Sequence, residues 1–208
     1  SSLSFDMCAY DVFGSLAAGA TIVLAGDEAV RDAALIARLI VDHGVTVWHS
    51  VPALLGMLVD TVTMRPELHP HTLRLVLLGG DWIPVGLPDR LRALASEVRV
   101  ISLGGATEAS MDSTIYDVVA VDPNWTSIPY GAPMTNQLAY VLDGHDQLVP
   151  IGVPGQLHLG EPRFAASLAQ QPQKRAKTSA SRGCGRTRTK ITASCGTPSS
   201  APRLDCTA

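Results

Sequence analysis

The chain has 208 residues, 46% of them apolar, which leaves room for one domain or slightly more with a buried core. Its net charge of −3 hides a division: residues 1–160 hold 7 Arg, no Lys and 17 acidic residues (−10), while residues 161–208 hold 9 basic and 2 acidic residues (+7). No apolar run reaches the roughly 18–20 residues that a membrane helix needs, and the start Ser-Ser-Leu-Ser-Phe-Asp has neither a basic leader region nor an initiator Met. Neither a membrane span nor a secretory leader is expected, and the chain is expected to begin inside a larger protein. Cys8 is alone before residue 160, while Cys184, Cys195 and Cys206 follow it. A lone thiol fits a reducing cytosol.

From Phe5 to Ala17 the apolar residues Ala9, Val12, Phe13, Leu16 and Ala17 recur at helical spacing, with Asp6 where an N-cap stands and Gly19 as the stop. Ala20–Leu24 is expected as a strand. Asp27–His43 is expected as one helix with Ile36, Leu39 and Ile40 inward and Gly44 as its stop. Val45–Val51 is a second expected strand, with His49 near its carboxyl end; a lone His there is by itself more readily a core histidine than a ligand. Pro52 opens a helix to about Val62. Met64–His71 is a loop, and His69-Pro70-His71 lacks the accompanying Cys, His or acids that a metal site requires. Leu73–Leu78 is a strand ending in Gly79-Gly80, and Pro84–Ala95 is a helix.

Val98–Leu103 is the central expected strand, and it breaks on Gly104-Gly105 ahead of Thr107 and Glu108. Paired glycines let a backbone approach a ligand closely, although such a pair is also simply a turn. A hydroxyl can donate to a phosphate oxygen, and a carboxylate can hold Mg²⁺ against that phosphate. Strands alternating with helices predict parallel pairing in a layered α/β domain. Ligands of such sheets bind beyond the carboxyl ends of the strands. His49, Gly79-Gly80 and Gly104-Gly105 all fall at such ends. Beyond Asp112 the pattern becomes β-rich: Thr114–Val119, Gln137–Leu142 and Gln156–Leu159, with a hairpin turn at residues 143–146. Asn124-Trp125-Thr126 matches a glycosylation acceptor by chance. The division expected is a partial α/β core over 1–112, a β-rich part over 113–160, and a basic tail over 161–208 that is disordered or out of frame.

Gly104-Gly105-Ala106-Thr107-Glu108-Ala109-Ser110 resembles the nucleotide-binding motif of adenylate-forming enzymes, in the form found in nonribosomal peptide synthetase adenylation domains of heterocyclisation modules. The usual motif is Tyr-Gly-Pro-Thr-Glu; here Gly104 stands for the adenine-stacking Tyr and Ala106 for the Pro. Gly152–Gly160 is similar to the next family motif, with Gln156 where Glu is usual. The resemblance covers about Ser1–Gly160. It implies an amino-acid pocket lined by Met7, Tyr10, His49, Leu77, Gly79, Leu103, Met111 and Asp112, with Asp6 holding the α-ammonium. On the bare sequence Asp6 reads first as a helix cap, and only the resemblance favours the ammonium site. The resemblance further implies ATP between Gly80, Leu103, Gly104, Gly105, Ala106 and Thr107, with Thr107 and Glu108 as catalytic groups and Glu108 placing Mg²⁺. Two polar groups, His49 and Asp112, in an apolar set imply a small substrate with a hydroxyl or thiol: serine, then threonine or cysteine. The implied partners are carrier and cyclisation domains, the carrier bearing phosphopantetheine, in siderophore-type synthesis.

Two other readings stay open. One is an acyl or aryl acid ligase of the same superfamily, against which Asp6 argues, since such substrates have no ammonium. The other is an inactive, truncated or frame-disrupted remnant. No phosphate loop, ribose-binding segment, catalytic Lys or carrier serine motif is visible. A nucleic-acid-binding role for the run Lys174–Lys190 is disfavoured, since it lacks interleaved aromatics.

Overall fold

Helix α4 (Pro52–Thr63) lays a continuous apolar face into the core. Val51 is extended and Pro52 occupies the first turn, where its missing N–H has no intrahelical partner to lose. Leu55, Leu58, Val59 and Val62 then recur along one face, and all four are buried. Each such side chain contributes about 1.5–3 kcal/mol of transfer free energy. The computed structural model that shows this describes residues 2–145, 147–160 and 190–191.

Two units divide the chain: residues 1–101 with 117–123, and residues 102–116 with 124–208. The first is the layered α/β part. A π-helical turn (Tyr10–Gly14) runs into the short helix α1 (Ser15–Ala17). The helix is as expected, but its apolar face is not core: Phe13 and Leu16 are 72% and 59% exposed, since no described element covers them. Ala20–Leu24 is not a strand, because no neighbour takes up its backbone groups in a ladder. The single helix expected over Asp27–His43 is two, α2 (Asp27–Arg31) and α3 (Ala33–Asp42). Asp32 breaks it: its backbone is extended, and its carboxylate accepts the Ala34 N–H at 2.8 Å. A mid-sequence Asp has thus capped a new helix instead of continuing the old one. Helix α3 ends as predicted at Gly44, whose φ of +58° lets the Val45 N–H reach back to the Ile40 carbonyl.

Strands β1 (Val47–Ser50) and β2 (Leu75–Leu78) pair in parallel, His49 beside Leu77. Arg74 leads into β2, and its carbonyl takes the N–H of Arg99, which opens β3 (Arg99–Gly104), so the order here is β1-β2-β3. Helix α5 (Leu87–Arg92) is shorter than the Pro84–Ala95 span expected, but buries Leu87 and Leu91 as predicted.

The second unit is β-rich. Its strand order begins β3-β4-β5, with β4 (Thr114–Asp117) antiparallel to β5 (Ala132–Pro133). β6 (Leu138–Leu142) and β7 (Gly155–Gly160) form a longer antiparallel pair. Val141 is buried against Tyr130, Val149 and Leu157. The turn predicted after β6 is present, with the Asp143 carboxylate accepting the N–H groups of His145 and Gln147. Lys190–Ile191 form a two-residue strand, β8, on β7, where the tail had been expected without structure. Otherwise that expectation falls on residues 161–189 and 192–208, outside the described residues.

Candidate functional site

The predicted site residues fall in both units, and each unit assembles its own group. In the first, the turn before the π-helix carries Asp6 and Met7. The Asp6 carbonyl accepts the Ala9 N–H at 2.9 Å, but its carboxylate has no hydrogen-bond partner among the described residues. The side chain is therefore not acting as a helix cap. Met7 is 3% exposed, Leu77 is buried, and Gly79 is buried with its N–H on the Ser50 carbonyl. Gly80 has φ +80°, and a Cβ there would meet the Phe5 ring at 3.3 Å. That left-handed turn requires glycine.

His49 and Leu77 are lateral neighbours in the parallel pair, so their side chains share a face. The His49 side chain is 4% exposed. Its Nδ1 lies 2.6 Å from Asp11 Oδ1, and the Tyr10 ring stands edge-on to it at 5.6 Å and 86°. Its Nε2 is buried with no hydrogen-bond partner among the described residues. Burial alone pushes the Asp11 carboxyl up, but the hydrogen bond with His49 leads the opposing causes and the balance holds it at about 2. Asp11 was not foreseen. The signal was available: Met7, Tyr10 and Asp11 stand at i, i+3 and i+4, on one helical face.

The second unit carries the loop from Leu103 to Asp112. Leu103 and Gly104 are buried in β3, while Thr107 and Glu108 are exposed in a 3₁₀ turn (Thr107–Ala109). Neither the Thr107 hydroxyl nor the Glu108 carboxylate has a partner among the described residues. Gly105 and Ala106 are half-buried, as are Met111 and Asp112. The glycine pair is required by close contacts within the chain. A Cβ on Gly104 would lie 2.3 Å from the Tyr130 ring and 2.6 Å from Thr114 Oγ1; one on Gly105 would lie 2.1 Å from the Met111 carbonyl oxygen. The chain itself makes the close approach. Ser110 and Met111 follow with φ of +64° and +71°.

No cluster of three or more potential metal ligands exists among the described residues. Mg²⁺ does not need one, since it commonly keeps several waters and is held by one or two carboxylates plus substrate phosphates. A single exposed Glu108 fits that donor set. The surface groove at Arg92, Glu97, Arg99 and Asp117 lies away from every predicted residue. Its cations are already engaged: Arg99 with Asp117, and Arg92 with Asp89 and the Val118 carbonyl. Among the described residues no helix is long and apolar enough to cross a membrane.

Residues 1–168 match the family model described as AMP-binding enzyme. Bacitracin synthase 1 of Bacillus licheniformis is 44% identical over 174 residues, which is 84% of this chain and 3% of that protein. Pyochelin synthetase PchE of Pseudomonas aeruginosa is 42% identical over 83% of this chain and 12% of its own length. Phenyloxazoline synthase MbtB of a Mycobacterium species is 35% identical over 83% and 14%. The solved structure of the nonribosomal peptide synthetase FmoA3 in its alpha-methyl-L-serine-AMP bound form superposes with a TM-score of 0.74 at 44% identity, over 78% of this chain and 18% of that one. The chain thus spans a small part of the relatives that it matches.

Proposed function

The chain belongs to the AMP-binding enzyme family, in its nonribosomal peptide synthetase adenylation type, and from that premise we propose that it supplies the amino-acid pocket and nucleotide loop for activating a small hydroxyl amino acid, serine first, then threonine or cysteine. The observation that carries this reading is the His49 Nε2, buried with no partner in surroundings that include Leu77 and Tyr10. A buried polar atom without a partner costs about 1–3 kcal/mol, so the site is complete only when a substrate supplies the missing hydrogen bond. The alpha-methyl-L-serine-AMP bound form of FmoA3 is consistent with this.

In the reaction proposed, a carboxylate oxygen of the amino acid attacks the α-phosphorus of ATP, an aminoacyl adenylate forms, and pyrophosphate leaves. Catalysis of such attack is mostly positioning and charge neutralisation. The Asp6 carboxylate holds the α-ammonium, a desolvated cation needing a charged acceptor. In the first unit Met7, Tyr10, Leu77 and Gly79 bound the side-chain space with His49 as its polar group; the family resemblance assigns Leu103, Met111 and Asp112 of the second unit to the same substrate. Gly80, Leu103 and the Gly104–Thr107 segment take the nucleotide. Thr107 donates to a phosphate oxygen, and Glu108 holds Mg²⁺, which when bound neutralises phosphate charge. A carrier domain of a cytosolic siderophore-type synthetase with a cyclisation domain would hold the phosphopantetheine, whose thiol would take the aminoacyl group with release of AMP.

ATP–pyrophosphate exchange by the full-length protein tests this. L-Serine should exceed alanine by about 10–100-fold, the equivalent of one orphaned buried polar atom. Asp6→Ala should abolish exchange with every amino acid. Robust exchange by that variant, or with a carboxylic acid lacking an amine, overturns the assignment.

A further inference from the structure

We propose that Asp11 is a positioning residue for substrate selection: its carboxylate holds the His49 proton on Nδ1, so that Nε2 faces the bound amino acid as a hydrogen-bond acceptor and selects side chains that can donate. The proposal rests on the substrate reading above and adds the direction of the hydrogen bond and the residue that sets it.

The argument begins with donor inventory. An ionised carboxylate only accepts, so a 2.6 Å contact between Asp11 Oδ1 and His49 Nδ1 requires the proton to lie on Nδ1. In the neutral imidazole the other nitrogen is then a bare lone pair. That nitrogen is the buried atom left without a partner among the described residues. The ring has little freedom to turn and exchange its nitrogens. It is 4% exposed, the Tyr10 ring lies edge-on to it, and Leu77 stands beside it in the parallel ladder. Asp11 itself is 20% exposed at its side chain, on the same helical face as Tyr10 and Met7. A carboxylate behind a buried His fixes which nitrogen is presented in front, a role distinct from touching the substrate.

The chemical consequence is specific. Serine and threonine hydroxyls donate to Nε2, and a cysteine thiol donates more weakly. Alanine cannot donate and leaves Nε2 orphaned. A carboxamide at position 11 can either accept from Nδ1–H or donate to a bare Nδ1, so it no longer dictates the tautomer.

Two measurements on the full-length protein test this. In ¹⁵N-histidine NMR, wild-type His49 should show a protonated Nδ1 and an unprotonated Nε2, and Asp11→Asn should show a mixture of tautomers. In pyrophosphate exchange, Asp11→Asn and Asp11→Ala should raise the serine KM about tenfold, as loss of one well-aligned hydrogen bond does, while leaving the alanine KM unchanged. A purely structural role would worsen both substrates together. A wild-type ring that carries its proton on Nε2 overturns the proposal whether or not the variants fold. Wild-type preference for serine that survives intact in a folded Asp11→Ala variant removes the role of Asp11 alone. Wild type that activates alanine as well as serine removes the substrate reading, and this proposal with it.

Discussion

Gly105→Ala is the sharpest test of how the nucleotide loop is built. The added methyl would sit 2.1 Å from the Met111 carbonyl oxygen and 2.8 Å from both the Met111 carbonyl carbon and Asp112 Cα. All three are backbone atoms, so no side-chain rotation relieves the overlap. The loop has to open, and the bonds that close it stand in the way: Met111 N–H to the Ala106 carbonyl at 3.1 Å and Ser113 N–H to the Gly104 carbonyl at 2.7 Å. Overpacking of this kind costs about 1–3 kcal/mol, and each strained hydrogen bond adds about 0.5–1.5 kcal/mol. We expect a loss of about 2–4 kcal/mol. Gly56→Ala is the control, in the interior of α4, where a Cβ meets nothing within 4 Å. That change should gain up to about 1 kcal/mol from helix propensity. Urea unfolding monitored by circular dichroism reads both, as shifts of the midpoint at constant slope. If Gly105→Ala and Gly56→Ala move the midpoint in the same direction, or if Gly105→Ala is neutral, the close approach at Gly105 is not what fixes the loop.

Two further outcomes follow from the first unit. Leu58→Ala, which removes a fully buried side chain from the apolar face of α4, should destabilise by about 2–5 kcal/mol in the same assay, and a loss below about 1 kcal/mol would show that this face is not core. The folded-state pKa of Asp11 is depressed from 3.8 to about 2, so its stabilising contribution is fully present above pH 4 and is lost as pH falls through about 2. The stability difference between wild type and Asp11→Asn should therefore shrink across that window, and a difference that stays constant from pH 5 to about 2 would contradict the depressed value.

Much of the first unit was legible because its signals are local. Pro52 with four apolar residues at helical spacing yields α4, and Gly44 yields the end of α3, since both follow from backbone conformation and the burial of one face. Asp32 was misjudged because the same residue can sit on a helix surface or cap a new helix; only the extended backbone at that position decides between them. Ala20–Leu24 has strand composition, yet a strand exists only where a neighbour completes its hydrogen bonds, and composition does not report the neighbour. The place of His49 near the end of β1 was legible in the sequence. Its partner Asp11 was passed over: helical spacing puts it on the face of Met7 and Tyr10, but 38 residues separate it from His49, and spacing alone does not pair the two. At Gly104 and Gly105 the sequence showed the need for glycine but not the atoms that crowd them, which are Tyr130, Thr114 and Met111, contacts set by tertiary packing.

That crowding bears on what the loop can do. Ser110 and Met111 both adopt left-handed backbone without being glycine, at an expected cost of about 1–3 kcal/mol each. Such strain persists only where the surroundings over-determine it, and here they do. The Ala109 carbonyl accepts from the Ser113 hydroxyl at 3.1 Å and from the Gln137 amide at 3.5 Å, and the Gly104 carbonyl accepts from the Ser113 N–H and the Thr114 hydroxyl. Within this tied segment Thr107 and Glu108 are exposed and have their polar atoms unengaged among the described residues. Ordering one residue's backbone on binding costs about 1–2 kcal/mol. A loop already fixed by its own packing is spared that cost when a phosphate arrives, so the free energy of the new contacts goes into holding the reacting groups in line. On the proposed nucleotide reading, the glycines would serve the ligand indirectly. They let the chain close on itself tightly enough to present a hydroxyl and a carboxylate at a fixed separation.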